Sequence, residues 1–209
     1  MRQNEPSLAA LIGSRICHDL ISPIGAISNG LELVEMAGTA SSGPEMTLIR
    51  QSCDHATARI RFFRIAFGTA SDIYPVSSSE ADRTLANNYA HTRLSATWEI
   101  HHDQGRDIVQ LAYLAILCLE TALPQGGVLE VHRDGRTLMV TAQAENTRAD
   151  GPIWSLLSSE AEIDLTALRP ADVQFALLAQ MCRKTGITTQ LSTSAGLATL
   201  SLTLPGPAM

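Results

Sequence analysis

The sequence of 209 residues has few aromatic side chains, 4% of the chain, and no long hydrophobic run. Its longest apolar stretch, Leu111 to Leu119, is too short to cross a bilayer. The first residues, Met1 to Pro6, lack the basic and apolar pattern of a secretory signal. Hydrophobic residues still make up 45% of the chain, which is enough for a sizeable core. We therefore expect a soluble, cytoplasmic protein with no membrane contact.

Cysteine and positive charge are also scarce. The four cysteines show neither the paired spacing of a metal site nor a short disulfide framework, so we expect reduced thiols. The net charge is −6: residues 1–73 carry six basic and seven acidic residues, and residues 74–209 carry nine and fourteen. Nucleic-acid binding is not expected, because neutralising phosphates requires a basic surface that this composition hardly supplies.

Two helical patterns fill the N-terminal third of the chain. The first predicts a helix from about Ser7 to Ala37, ended by Gly38, and a turn at residues 39–44 separates it from a second helix from about Glu45 to Ser71. The apolar stripe of the first helix consists of Leu8, Ile12, Ile16, Leu20, Ile24, Ile27, Leu31 and Val34. That of the second consists of Ile49, Cys53, Ala56, Ile60, Phe63 and Phe67.

Residues 1–73 thus form a helical hairpin whose apolar positions need a second layer. The simplest second layer is another copy of the hairpin around a two-fold axis, so we predict a homodimer with a four-helix bundle. The alternative is that the hairpin packs on its own C-terminal domain.

Residues 74–209 read as a mixed α/β domain. A short helix at 79–90, a strand at 94–100 and an apolar helix at 108–123 precede two alternating segments at 128–133 and 137–144, joined by the turn signal Asp134-Gly135. A helix at about 171–185 and two strands at 188–192 and 198–204 follow. The overall fold class is therefore α+β, a helical hairpin plus an α/β sandwich.

The first helix carries His18 and Asp19 side by side, with Pro23 five places after the histidine. At about 100° per residue, His18 lies opposite the apolar stripe and should face water. An internal proline costs about 3 kcal/mol, which suggests a function at this place. We interpret His18 as a phosphoryl acceptor and Asp19 as the side chain that orients its imidazole. The alternative is a surface histidine without a function beside a tolerated kink.

The helical neighbours of His18 form a mixed surface on which a partner could approach closely. Arg15 is placed to meet acidic groups of that partner, or it is simply a solvated charge. Four residues extend the contact along one face: Ile21, Ser22, Gly25 and Asn29. Further arginines at 59, 61 and 64 cannot all share a face, and we interpret them as surface charge. The other histidines, at 55, 91, 101, 102 and 132, are interpreted as surface or structural residues.

The segment His18-Asp19-Leu20-Ile21-Ser22-Pro23 in a helical hairpin, followed by this order of helices and strands, resembles the dimerisation and catalytic domains of sensor histidine kinases. The nucleotide-binding features of such kinases are missing. Leu114 and Cys118 stand where two asparagines would bind magnesium and phosphate. Residues 142–147 lack the glycine-rich adenine turn, and residues 168–172 replace a glycine-rich lid.

The chain is therefore more similar to the ChpT-type histidine phosphotransferases of alphaproteobacteria, whose motif matches residues 14–32. This resemblance implies that His18 accepts a phosphoryl group from the receiver domain of a hybrid histidine kinase and passes it to response regulators that include cell-cycle regulators. It also implies no cofactor bound by this chain, with Mg²⁺ held by the partner receiver. Two alternatives are an active sensor histidine kinase and a non-catalytic dimeric adaptor that docks receiver domains.

Overall fold

The computed structural model describes residues 7–37, 43–69, 74–90, 92–158 and 162–206. Four features of the sequence interpretation therefore lie outside the described residues: the stop at Gly38, most of the turn at 39–44, the second helix's predicted end at Ser71, and His91. No helix in the described ranges is both long and apolar enough to span a membrane.

Two antiparallel helices form the N-terminal hairpin, α1 (Leu8–Ala37) and α2 (Pro44–Ala66). They approach closely at Gly30, where a β-carbon would lie 2.6 Å from Ile49 Cγ1. Helix α2 starts with a proline, which suits the first helical turn, and it ends at Ala66 rather than at the predicted Ser71. Glycine is unfavourable in a helix interior, so Gly68 accounts for the earlier end.

Eleven shorter elements follow the hairpin. They are α3 (Ser78–Tyr89), β1 (Leu94–Trp98), α4 (Arg106–Glu120), β2 (Gly127–Asp134), β3 (Thr137–Gln143), a 3-10 turn (Pro152–Trp154), α5 (Ser155–Ser158), a second 3-10 turn (Pro170–Asp172), α6 (Val173–Thr185), β4 (Thr188–Ser194) and β5 (Leu197–Thr203). The α+β prediction is confirmed. The 3-10 turn and α5 at 152–158 were not predicted, because such short elements carry no readable periodicity.

The five strands form one sheet in the order β1-β2-β3-β5-β4. Strands β1 and β2 are parallel, and the other neighbours are antiparallel. The predicted hairpin is present: Asp134 pairs with Thr137, and Gly135 takes the left-handed conformation, with φ of 52°, that the tight turn requires.

Helix α4 is the centre of the core, with every residue from Ile108 to Leu119 buried. Helix α2 joins this core through its C-terminal half: Phe62 stacks on Tyr113 of α4, with ring centroids 4.7 Å apart. The hairpin thus packs on its own C-terminal domain, as the second alternative predicted, and one core runs across the boundary proposed at residue 73. The division into domains 1–73 and 74–209 stays a prediction.

Helix α1 is less buried than its apolar stripe suggests. Ile16 packs against the main core and Leu11 is buried against α6, whereas Ile24 and Leu31 are exposed. A single chain therefore buries only part of this stripe. Packing on the C-terminal domain covers only the first turns of α1, and the remainder of the stripe stays open.

Candidate functional site

The exposed end of the site is His18 on α1, whose side chain is 85% exposed. This is the orientation that the position of the apolar stripe predicts. The ring nitrogen Nδ1 lies 3.1 Å from Asp19 Oδ1, within hydrogen-bonding distance. A proton on Nδ1 would therefore be held by the carboxylate, which leaves Nε2 as the nitrogen with a free lone pair.

Asp19 is largely buried, with 12% of its side chain exposed, and its second oxygen faces two arginines. Oδ2 accepts hydrogen bonds from Arg15 Nε at 3.1 Å and from Arg59 Nη2 at 2.7 Å. Burial acts to raise the pKa of the Asp19 carboxyl, but the hydrogen bond from Arg59 and the charges of both arginines outweigh it, so the net pKa is lowered. Asp19 is therefore held as an anion.

Arg59 lies beneath Asp19 and is 15% exposed, so its interpretation as surface charge is wrong. Its Nη1 is 3.4 Å from Asn88 Oδ1 and 3.8 Å from Glu120 Oε1, and its guanidinium lies 4.7 Å over the Phe63 ring. The sequence did contain a signal, because Arg59 is three residues after Ala56 and four before Phe63, on the buried stripe of α2.

Glu120 at the end of α4 closes this group of side chains. Its carboxylate accepts a hydrogen bond from the Tyr89 hydroxyl of α3. Burial raises the pKa of Glu120, and the positive charge of Arg59 opposes that rise only in part. Burial likewise raises the pKa of Tyr89 well above its ordinary value. Four helices thus meet here, and neither Glu120 nor Tyr89 was identified from the sequence.

Arg15 is turned towards its own chain. Besides Asp19, it donates a hydrogen bond from Nη1 to the Ala171 carbonyl at 2.6 Å, at the start of the segment leading into α6. The sequence interpretations of Arg15, a partner contact or a solvated charge, both assumed a free guanidinium. That assumption is wrong, because the guanidinium is hydrogen-bonded within the chain. A direct contact of Arg15 with a partner stays a prediction.

The other four predicted contact residues lie near His18 on the open side of α1. Ile21, Ser22 and Asn29 are exposed, and a β-carbon on Gly25 would meet no heavy atom within 4 Å. The small size of Gly25 is therefore not needed for packing within this chain. Next to them, His18 and Ser22 line a shallow cleft of about 380 Å³, together with His55.

The positions compared with a kinase nucleotide site have packing roles. Leu114 and Cys118 are fully buried in α4. Leu168 packs in a small cluster with Leu11 of α1, and Arg169 Nε bonds Asp172 Oδ2 at 2.7 Å. Across the described ranges, no group of three or more His, Cys, Asp or Glu side chains is arranged to hold a metal ion.

Comparisons with known proteins show the family to which the chain belongs. The family model for the histidine phosphotransferase C-terminal domain matches residues 78–196. The protein phosphotransferase ChpT of Brucella abortus (strain 2308) is 38% identical over 172 residues, which cover 78% of this chain and 81% of the relative.

A solved structure shows a matching fold. A structure described as a bacterial phosphotransferase superposes with a TM-score of 0.75 at 29% identity, covering 93% of this chain and 95% of the other. The Acinetobacter baumannii histidine kinase AdeS gives a lower TM-score of 0.47 at 8% identity, over 91% of this chain and 98% of the other. Both sequence and structure comparisons therefore lead to one assignment: the chain belongs to the histidine phosphotransferase family and is a ChpT-type phosphorelay phosphotransferase.

Proposed function

We propose that His18 accepts a phosphoryl group from the receiver aspartate of a hybrid histidine kinase and passes it to the receiver aspartates of response regulators, including those that control the cell cycle. The observation that carries this proposal is an imidazole 85% exposed on a helix, with Nδ1 held 3.1 Å from a largely buried carboxylate. The other ring nitrogen, Nε2, is then open to a protein substrate, and the ring has a fixed orientation.

In the transfer step, the Nε2 lone pair attacks the phosphorus of the aspartyl phosphate. An N–P bond forms, the P–O bond to the aspartate breaks, and the aspartate leaves as a carboxylate. The proton stays on Nδ1, so the phosphorylated ring is cationic, and Asp19 stabilises that charge. The reverse sequence of bonds delivers the group to the next receiver. No proton has to leave the site.

Phosphoryl transfer depends mainly on alignment and charge neutralisation. Helix α1 supplies a rigid support, and we assign the contact with the receiver to Ile21, Ser22, Gly25 and Asn29. Mg²⁺ held by the receiver domain would neutralise phosphoryl oxygens during the transfer. This chain needs no metal of its own in the scheme, and the relay is expected to operate in the cytoplasm.

We also propose that the protein is a homodimer. Ile24 and Leu31 on the α1 stripe and Ile60 on α2 are exposed in the single chain. Ile24 and Leu31 continue the α1 stripe beyond the part that packs on the C-terminal domain, and Ile60 lies on a side of α2 that this packing leaves open. A second hairpin around a two-fold axis would cover them and complete a four-helix bundle.

The decisive experiment is transfer from a receiver domain carrying labelled phosphate. The wild-type chain should become labelled on His18, as mapped by mass spectrometry at neutral or basic pH, and His18→Gln should stay unlabelled while remaining folded and dimeric. Label on another residue, or unchanged transfer by His18→Gln, would contradict the proposal. A matched control is His101→Gln, which removes another exposed histidine far along the chain and should label normally.

The same protein tested with labelled ATP and Mg²⁺ separates the relay from an active kinase. We expect no label without a phosphorylated receiver, so self-labelling from ATP would favour the kinase. If the protein were an adaptor without phosphoryl chemistry, its His18→Ala variant would bind receivers normally and leave signalling unchanged.

A further inference from the structure

Five side chains from four helices connect the exposed imidazole to the interior of the C-terminal domain. In order, they are His18 and Asp19 of α1, Arg59 of α2, Glu120 of α4 and Tyr89 of α3. We call this series the charge chain. Its links are the 3.1 Å contact of His18 with Asp19, the 2.7 Å bond of Asp19 with Arg59, the 3.8 Å ion pair of Arg59 with Glu120, and the Tyr89–Glu120 hydrogen bond.

The positive and negative charges in the buried part of the charge chain balance only when all of its charged groups are counted together. Two carboxylates, Asp19 and Glu120, face the guanidinium of Arg59, and Arg15 supplies the second positive charge. An ion taken out of water is costly unless it is paired and hydrogen-bonded. Replacement of a buried ion pair by well-packed apolar side chains is often neutral or stabilising, so stability alone does not account for the charges here.

The geometry around Asp19 indicates a role for these charges. Both arginines bond to Oδ2, and this leaves Oδ1 directed at His18. Rotation of the carboxylate would break the 2.7 Å bond with Arg59, the shorter of the two. Arg59 itself cannot swing away, because it lies over Phe63 and is bonded to Asn88 and Glu120.

We propose that Arg59 and Glu120 are positioning residues for phosphoryl transfer: through Asp19 they hold the proton of His18 on Nδ1 and keep Nε2 free for phosphorus. Arg59 acts directly on Asp19, and Glu120 acts through Arg59. The kinase-like domain thereby supports the chemistry on α1, because its helix α4 supplies Glu120. This inference rests on His18 being the phosphoryl acceptor.

The tautomer of a neutral imidazole is set by the hydrogen bond that its other nitrogen makes. It can be read for His18 from imidazole ¹⁵N chemical shifts in the full-length protein labelled with ¹⁵N-histidine, with His18→Gln used to assign the signals. In the wild type we expect the Nδ1–H form to dominate. Arg59→Gln should shift His18 towards the Nε2–H form and slow transfer from a phosphorylated receiver by about tenfold or more, because small misplacements of reacting groups are costly.

Arg59→Gln leaves Glu120 buried without its partner and could unfold the chain. The double variant Arg59→Gln/Glu120→Gln removes both charges and avoids that problem. The double variant should fold and show the same tautomer shift. If Arg59→Gln also folds, the two variants should transfer the phosphoryl group at the same low rate. Arg59→Lys should restore only part of the rate, since an ammonium cannot reproduce the planar fork of the guanidinium.

The matched control is Arg61→Gln, which removes an exposed arginine from the same helix. Neither its tautomer signal nor its transfer rate should differ from the wild type. A folded double variant with a wild-type tautomer and rate would overturn the positioning role of Arg59 and Glu120. Absence of His18 labelling in the wild type would instead contradict the proposed function, and the tautomer measurement, which needs no phosphate, keeps the two failures apart.

Discussion

The two ends of the helical hairpin solve the same packing problem differently. At the end near the C-terminal domain, Phe62 and Ala66 of α2 have no exposed surface, because they are enclosed by the core around α4. At the far end, Leu31 and Leu33 of α1 are about half exposed, at 48% and 50%, and Met36 is 85% exposed. The near end is completed by its own chain, whereas at the far end the apolar stripe, at Leu31, is available for a second copy.

The charge chain lies at the near end, where Arg59 lies over Phe63. Above it, His18 is open to a large partner, and below it, Arg59 and Glu120 are enclosed. A relay histidine must be accessible and held in direction at once, and these demands are met by different residues. The position of His18 on α1 makes its ring accessible, and the side chains beneath it fix the orientation of the ring.

The largest effect should come from the packed end. Phe62→Ala removes a fully buried ring stacked on Tyr113 and should lower the free energy of unfolding by about 3–5 kcal/mol. Met36→Ala at the far end should change it by less than about 0.5 kcal/mol. Chemical denaturation at one protein concentration measures both, and comparable losses would show that the two ends are equally packed.

The next prediction concerns assembly. Leu31→Asp places a charge on the apolar stripe of α1 and should convert the dimer to a folded monomer, because the two-fold interface would bury two carboxylates. Light scattering measures the mass, and circular dichroism checks the fold. Leu33→Asp is the matched control: it is equally exposed but about 160° around the helix, and it should leave the mass unchanged. A Leu31→Asp dimer would contradict the proposed interface.

Two glycines of α1 give a smaller and opposite pair of effects. Gly30→Ala forces a β-carbon to within 2.6 Å of Ile49 Cγ1 and should destabilise the hairpin by about 1 kcal/mol, net of the better helix propensity. Gly25→Ala meets nothing within 4 Å and should stabilise it by about 0.5–1 kcal/mol. If Gly25 lies under a docked receiver, Gly25→Ala should nevertheless slow transfer; stability and transfer rising together would argue against that contact.

The smallest effect is the dependence of stability on pH. The folded state lowers the pKa of Asp19 below its ordinary 3.8, so the carboxylate contributes stability that is present above that pKa and is lost as the pH falls through the folded value. The difference in the free energy of unfolding between wild type and Asp19→Asn should be constant from about pH 5 to 8. It should shrink as the pH falls below about 4. A difference that widens in acid would mean that Asp19 is not held as an anion.

Much of the fold could be read from periodicity. The stripe of α1, the turn at Asp134-Gly135 and the long apolar α4 each carry their own structural preference, so their local sequence is enough to predict them. The end of α2 was predicted too late, because Gly68 interrupts the helix, and the short α5 was not predicted, because so few residues carry no readable periodicity.

Only part of the candidate site could be predicted from the sequence. His18 and Asp19 are adjacent in sequence and opposite an apolar stripe, so their relation follows from helix geometry alone. Arg59, Tyr89 and Glu120 are separated from Asp19 by 40 residues or more of chain, and no local pattern links them. Arg59 was interpreted as surface charge, although its place on the apolar stripe of α2 indicates burial; that local pattern does not say which partners it reaches.

The sequence by itself therefore determined an exposed histidine on a helix, with an acid beside it and a family motif around it. Only the tertiary structure decided which groups hold that acid, because three helices, α1, α2 and α4, must pack together before Arg59 can reach both Asp19 and Glu120. Helical periodicity is a local property of the chain, whereas the pairing of buried charges depends on distances that exist only once the core has formed.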